Sequence, residues 1–491
     1  MSGFLLGIDI GTSACKAALF RADGTLAAAA DSAYGVRYPK HGWAEQQPED
    51  WWRAAVTAVR ELLAGAGINP ADIVGVGVDG QSWAMVAIDA SGAVLCPSPI
   101  WTDTRARGEC DEMVRAVGRE ALLQCSGNPV TPSYTLPKVL WFQKRFPGLF
   151  RKTEKVLQSN GYIVYRLTGA ITQDVSQGYG WNCFDMAQGD WNRELAGALG
   201  LETRLLPEIH ECSEVVGRVT AEAAALTGLL EGTPVVAGGL DAACSALGVG
   251  VTQAGQTQEQ GGQAGGMSIC TEKYAAAPAL ILSRHVIGRK WLLQGGTTGG
   301  GGALKWFREQ FCPDMSFQEM SEAAAMEPPG SGGVIFLPFM AGERSPLWNP
   351  DAKGMFYGLG FSATRRQMIR AVMEGVAYSL RHNLDAAAEA GGAVSVMRST
   401  GGSAKSRVWM QIKADVTGSR METVQAETAA AKGAAILAGL GTGVLRSPEA
   451  AVCGIRAVKR YAPEERQREF YQGRYELYRE LIAAVEPLYA Q

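Results

Sequence analysis

The chain has no C-x-x-C pair. Its 10 cysteines are scattered over 491 residues, and its 4 histidines, His41, His210, His285 and His382, stand far apart. Zinc-site spacing is therefore missing and a disulfide framework is disfavoured; the expectation is reduced, buried thiols in a cytoplasmic protein. Charge is sparse too, with 19% of residues charged, a net −3 and no long basic tract, so neither nucleic acid nor an anionic membrane surface is an expected partner. No apolar run reaches the roughly 20 residues that span a bilayer. The N-terminus lacks a basic region and Asp9 interrupts its apolar stretch, which argues against a signal peptide. The lysine-bearing loop G-x-x-x-x-G-K-[ST] is absent. Gly75-x-Gly77-x-x-Gly80 matches the dinucleotide string but lies inside an apolar run and opens no helix.

What the chain does have begins at residues 4–20, FLLGIDIGTSACKAALF. The apolar run Phe4 to Ile8 delivers a carboxylate at Asp9, the small residues Gly11, Thr12 and Ser13 form a turn, and a second apolar run from Ala17 ends at Asp23-Gly24. This pattern predicts a strand, a tight turn and a returning strand. Such a turn brings backbone N–H groups and hydroxyls to phosphate oxygens. An adjacent Asp suits a hydrated Mg²⁺, which keeps its waters and binds through one or two carboxylates plus phosphate. An ordinary hairpin with an edge Asp fits the same pattern.

Glycine is abundant, 61 residues, and falls in pairs and runs: Gly238-Gly239, Gly261-Gly262, Gly265-Gly266, Gly295-Gly296, Gly299 to Gly302 and Gly401-Gly402. Where a pair follows an apolar run, close approach of backbone to a ligand is the expectation. Helices are predicted over 51–63, 106–125, 137–146, 303–311, 364–390, 404–417 and 428–439 from apolar spacing and end signals. Strands are predicted at 73–78 and 85–88, and from Pro234 a buried strand meets Gly238-Gly239 and Asp241 before a helix of small residues. The strand and turn theme restarts after residue 250, dividing the chain into an N-terminal domain, 1–250, and a C-terminal domain, 251–491. Glycine turns from two α/β halves facing each other would make a cleft, the usual place for a ligand.

With these segments in place, the chain resembles the FGGY carbohydrate kinases, nearest their xylulokinase-like branch, from the first turn to about residue 445. Gly42-Trp43-Ala44-Glu45-Gln46-Gln47-Pro48-Glu49-Asp50-Trp51-Trp52 is similar to the family's early segment. Ser133-x-Thr135-x-x-Lys138-Val139-x-Trp141 resembles its first signature, departing only at Arg145. Gly354-x-Phe356-x-Gly358-Leu359 with Gln367-Met368-x-x-Ala371-Val372-Met373-Glu374 resembles the second, and Phe336 to Pro346, with Gly342-Glu343-Arg344, is family-like. The resemblance implies two ribonuclease-H-like domains hinged around an ATP–sugar cleft, as in the actin, Hsp70 and hexokinase superfamily. It also implies transfer of the γ-phosphoryl group of MgATP to a sugar hydroxyl, and a possible homodimer.

Carried onto this sequence, the resemblance makes Asp241 the base that accepts the sugar proton; as a residue it also fits a helix N-cap. Asp9 would position Mg²⁺, and Gly11, Thr12 and Ser13 would contact phosphate. Gly262 and Gln263 resemble the second phosphate turn, where relatives usually have Thr or Ser in place of Gln263. Gly401, Gly402, Ser403 and Ser406 resemble the adenosine loop, with Gln411 and Asp415 on the next helix. Gly299 and Gly300 would lie along the nucleotide and Gly433 near the adenine wall. The sugar should meet Gln81, Trp83, Trp101 and Asp103, an aromatic face with polar readers. Xylulokinases typically have Gly-Gln-Met-His where this chain has Gly80-Gln81-Ser82-Trp83, so a different ketose, deoxy sugar or polyol is expected as substrate.

Overall fold

The alternating small and branched apolar residues of Phe4–Ile10 make a strand buried on both faces. It is the centre of the first sheet in the computed structural model, which describes residues 3–425 and 428–489. On one side it pairs antiparallel with Ala14–Arg21, which pairs antiparallel with Leu26–Ala33. On the other it pairs parallel with Ile73–Gly80, which pairs parallel with Pro234–Val236, and Val215–Arg218 closes that edge. The second half repeats the plan. Gln256–Gly261, Gly265–Thr271 and Trp291–Thr297 form an antiparallel meander, and Val396–Thr400 then Met421–Thr423 add in parallel beside Gln256–Gly261. Each half is thus a mixed sheet flanked by helices.

Most expected helices are present with shifted ends. The first spans Pro48–Ala66, with proline in its opening turn and Gly67 in the left-handed region at its close. The stretch 106–125 is not one helix but two, Arg107–Val117 and Arg119–Ser126. Between them Gly118 has φ +81°, outside the helical region. The helix expected over 137–146 begins earlier, as Thr135–Arg145, because proline at its third position lacks only an N–H that a first turn does not use. The longest, Arg365–Glu389, starts at a reciprocal cap between Thr364 and Gln367. All 10 cysteines are free thiols.

The halves do not divide cleanly in space at residue 250. Helix Ala429–Gly441 belongs by sequence to the second half but lies against the first sheet and against helix Asp241–Gly248. The approach is backbone to backbone. A Cβ on Gly7 would sit 1.8 Å from the carbonyl oxygen of Ala431, and one on Gly77 would sit 2.0 Å from that of Ala434. Gly433, expected near the adenine wall, faces the other way: its Cβ would meet the Cys244 carbonyl at 1.9 Å. Only glycine permits this spacing, and it welds the two ends of the fold together.

Gly77→Ala and Gly433→Ala are therefore expected to destabilise the protein by about 1–3 kcal/mol or to prevent folding, because the clash is with backbone that cannot rotate away. Gly65 in helix Pro48–Ala66 has open space around it, so Gly65→Ala should be neutral or gain up to about 1 kcal/mol. Thermal denaturation of the three variants checks this.

Candidate active site

Parallel pairing sets the register that builds the site. Asp9 aligns with Asp79 across adjacent strands, and Gly239, on the short strand Gly239–Leu240, aligns with Asp79 from the other side. Asp241 follows directly, so three carboxylates gather at one end of the sheet. Asp79 is fully buried, and neither of its carboxylate oxygens meets a donor among the described residues. Burial, then the Asp9 and Asp241 charges, raise its pKa well above the usual carboxylate range. Burial also raises Asp9, against the pull of Lys16, its register partner on the returning strand. Asp241 is pushed up to about 7 by removal from water and by the charge of Asp9.

Asp241 opens helix Asp241–Gly248 rather than capping it. The N-cap position is Leu240, and the Asp241 Oδ1 accepts the Ala242 N–H at 2.6 Å, leaving the second oxygen for the cleft. The segment is held from below, where the Ser176 hydroxyl accepts the Leu240 N–H at 2.8 Å and Asp174 accepts the Ser176 N–H. A divalent cation fits the surplus of negative charge and the unpartnered Asp79 oxygens. Among the described residues no three His, Cys, Asp or Glu side chains close around a bare ion. Asp9 and a neighbouring carboxylate could support a Mg²⁺ that retains its waters.

The first turn is braced so that its outer face stays free. Tyr34 donates to the Gly11 carbonyl at 2.6 Å, and Gln46 Nε2 donates to the Thr12 carbonyl at 2.8 Å. Gln46 Oε1 in turn accepts from Trp51 and from Gln81 Nε2, at 3.1 and 2.8 Å, tying the turn to the sugar segment. Trp101 does the same from another direction, its indole N–H meeting the Thr12 hydroxyl at 2.9 Å. Ser13 is exposed.

Among the residues expected to meet the sugar, Trp83 is the centre of an aromatic floor. Its ring lies 4.7 Å from Tyr134 and 5.8 Å from Tyr179, and Gly180 leaves the space its indole fills. Its backbone has φ +56°, a strained conformation for a bulky residue. Its buried Nε1 has no acceptor among the described residues, and neither does the buried Gln81 Oε1 have a donor. Lys138 locks the floor by donating to the carbonyls of Trp83 and Ile100, at 3.0 and 2.7 Å. Burial pushes this amine down to about 7. Asp103 serves differently from the expected sugar reader: it is fully buried and its oxygens accept from Ala44 N, Arg105 N and the Arg105 guanidinium. Its lone pairs are spent on bracing its own segment.

In the second half three glycine segments converge. Gly301 N donates to the Gly262 carbonyl at 2.7 Å, and Gly401, at φ +84°, packs on Gly261. Gly262, Gln263, Gly401 and Gly402 present exposed backbone on this surface. Gly299 and Gly300 do not; they are buried under the turn, against the Pro338 carbonyl and the Gly265 N–H. Their close packing lets the second turn sit down. Ser403 is buried and its hydroxyl accepts from Lys413, which pairs with Glu259 at 2.6 Å. Ser406 caps helix Arg407–Thr417 and bonds Ser321, so its hydroxyl is occupied by the protein. Gln411 and Asp415 bond each other and the chain at 462–464.

Two family models cover this architecture. The N-terminal domain of the FGGY family of carbohydrate kinases matches residues 4–248 and its C-terminal domain matches 268–442. The chain belongs to the FGGY family of carbohydrate kinases. It is 32% identical to the xylulose kinase of Bacillus subtilis over 488 residues, 99% of this chain and 98% of the relative. It is 30% identical to the L-xylulose/3-keto-L-gulonate kinase of Escherichia coli over 500 residues, 100% of this chain and 99% of that one. The crystal structure of xylulose kinase from Rhodospirillum rubrum superimposes with a TM-score of 0.92 at 32% identity, covering 99% and 100% of the two chains. This kinase is therefore a xylulokinase-like, ATP-binding phosphotransferase acting on a small sugar, with the fold of the actin, Hsp70 and hexokinase superfamily.

Sequence reasoning did not single out Asp79, Gln46, Tyr134 or Tyr179, which the fold brings beside the expected site residues. Asp79 was detectable, because it ends its apolar run as Asp9 ends the first. Tyr134 lies inside the first signature. Tyr179 carried no signal, since only the fold brings it to Trp83.

Because folded Asp241 keeps a proton up to about 7 while the unfolded chain releases it near 4, the ligand-free kinase loses stability as pH rises through that window. Asp241→Asn should reduce this slope, the remainder coming from Asp9 and Asp79. The variant is expected to be more stable than wild type at pH 8, by ~4 kcal/mol at most, with the gap closing towards pH 4 in thermal melts.

Proposed function

We propose that this kinase transfers the γ-phosphoryl group of MgATP to a hydroxyl of a ketose or related sugar or polyol other than D-xylulose, with Asp241 as general base. The observation that carries the chemistry is the Asp241 carboxyl, with one oxygen free at the cleft and a pKa about 7. A base poised there takes the hydroxyl proton as the sugar oxygen attacks phosphorus and ADP leaves, all near neutral pH. Asp9, with Asp79 behind it, would hold Mg²⁺, whose charge neutralises the phosphate oxygens. Thr12, Ser13 and the Gly11 backbone would seat phosphate from one half, and Gly262, Gln263, Gly401 and Gly402 the nucleotide from the other.

For the substrate, Trp83 carries the argument. A sugar resting on Trp83, Tyr134 and Tyr179 meets apolar faces where the xylulokinase pattern has a histidine. Relatives with different sugars in their names are matched almost equally, at 32% and 30% identity, so overall similarity does not choose among them. A D-xylulose kinase with a remodelled floor is the second reading, favoured by relatives such as the xylulose kinases of Bacillus subtilis and Escherichia coli. A non-catalytic sensor is opposed by Asp9, Thr12 and Asp241 occurring together. The reading includes a cytoplasmic setting, consistent with ten free thiols, and a homodimer.

Asp241→Asn is expected to lower kcat by roughly 10²- to 10⁴-fold while ATP affinity holds, measured by ADP release and by nucleotide titration. Wild-type kcat/KM should fall as pH drops below about 7, the limb moving lower where the metal's charge favours the ionised base; a flat profile would remove Asp241 from the role. Across D-xylulose, L-xylulose, D-ribulose, L-ribulose, glycerol and D-gluconate, a sugar other than D-xylulose should give the highest kcat/KM. Ordinary efficiency on D-xylulose would sink that part of the reading.

A further inference from the structure

Arg344 stands on the second half of the chain, yet its guanidinium faces the first. It lies 5.8 Å from the ring of Trp101, and its charge reaches the phenols of Tyr134 and Tyr179. Tyr179 is also within the field of Asp241. The cation therefore overlooks the aromatic floor beside the catalytic base.

Its root is fixed. Glu343 accepts from the Thr297 hydroxyl and the Thr298 N–H, at 2.6 and 3.0 Å, so that neighbouring carboxylate is committed elsewhere. The Ser345 hydroxyl accepts the Gly296 N–H at 2.6 Å, and the Arg344 carbonyl accepts the Trp348 N–H at 2.7 Å. Gly296 supplies the passage for the side chain: a Cβ there would lie 3.2 Å from the guanidinium carbon. The tip, by contrast, is free. Among the described residues no hydrogen bond or ion pair engages the Arg344 guanidinium. An arginine stays charged at any working pH and offers five donors in a rigid fork. A root held by four bonds under an unused fork, its charge reaching the Tyr134 and Tyr179 phenols that flank Trp83, is a donor-rich wall awaiting oxygens.

We propose that Arg344 is a substrate-reading residue, donating from the second half to the oxygens of a sugar that rests on Trp83, Tyr134 and Tyr179. The sugar then bridges the halves, and its binding draws them together. Trp101, under Arg344 and hydrogen-bonded to Thr12, makes the same contact adjoin the phosphate turn. This rests on the sugar-kinase reading above and adds a residue that the first half alone cannot supply.

The test uses full-length protein and whichever of D-xylulose, L-xylulose, D-ribulose, L-ribulose, glycerol or D-gluconate wild type turns over best. Arg344→Met should raise the sugar KM by about 10- to 100-fold, as for loss of a charged hydrogen-bond donor in a closed site, with the ATP KM within twofold. Arg344→Lys should recover part of the loss, and Gly296→Ala, which displaces the guanidinium without removing it, should raise the sugar KM in the same direction. Melting temperatures identify any variant that has simply unfolded. An ATP KM that rises while the sugar KM holds would assign Arg344 to phosphate and overturn the proposal, as would a Met variant with both constants unchanged. Wild type inactive on all six compounds would instead overturn the kinase reading on which the proposal depends.

Discussion

The parallel register of Phe4–Ile10 on Ile73–Gly80 is the constraint on which the site depends. It sets Asp9 beside Asp79, and the adjoining strand end adds Asp241. Three carboxylates collected in a partly dry place repel one another, and each is disfavoured as an anion by burial as well. A single apolar substitution would relieve the strain, yet the fold retains all three. The arrangement makes physical sense when positive charge and phosphate enter the cleft: the raised proton affinity of Asp241 becomes basicity, and the unpartnered Asp79 oxygens gain a field to answer.

Such a cluster needs a rigid frame, and glycine supplies it. Gly7 and Gly77 let helix Ala429–Gly441 lie directly on the strands that carry Asp9 and Asp79, and Gly433 and Gly248 join that helix to the one headed by Asp241. Asp241, Asp9, Asp79 and the returning chain thus form one block. The aromatic cluster of Trp83 is built around it by polar struts, with Gln46 joining the first turn to Gln81 and Lys138 holding the carbonyls of Trp83 and Ile100. A buried lysine with two carbonyl partners and no paired carboxylate is costly to maintain, which marks the position of those two segments as tightly specified.

Several elements of this kinase were legible in the sequence because their information is local. The first hairpin follows from apolar runs around small residues, and after residue 250 a second mixed sheet opens again with an antiparallel meander. Helix ends were less legible. The break at Gly118 looked like one amphipathic run, since apolar spacing continues across it while only the backbone changes region. The family resemblance made Asp103 and Ser406 expected ligand contacts. A carboxylate that accepts from Ala44 and Arg105, and a hydroxyl that caps its own helix, show why residue type cannot reveal which lone pairs remain unspent.

The sequence by itself determined the class: the spaced signatures, the paired Asp-bearing strands and the glycine turns point to an FGGY kinase, since strand, turn and motif are properties of neighbouring residues. Tertiary structure alone decided which side chains face one another across the chain. Asp79 meets Asp9 through register, Tyr179 meets Trp83 through a pocket shaped by Gly180, and Arg344 reaches Trp101 from the other half past Gly296. These pairs are separated by 70, 96 and 243 positions. No local pattern links residues so far apart, because their meeting is fixed by how the two sheets and the shared helix pack.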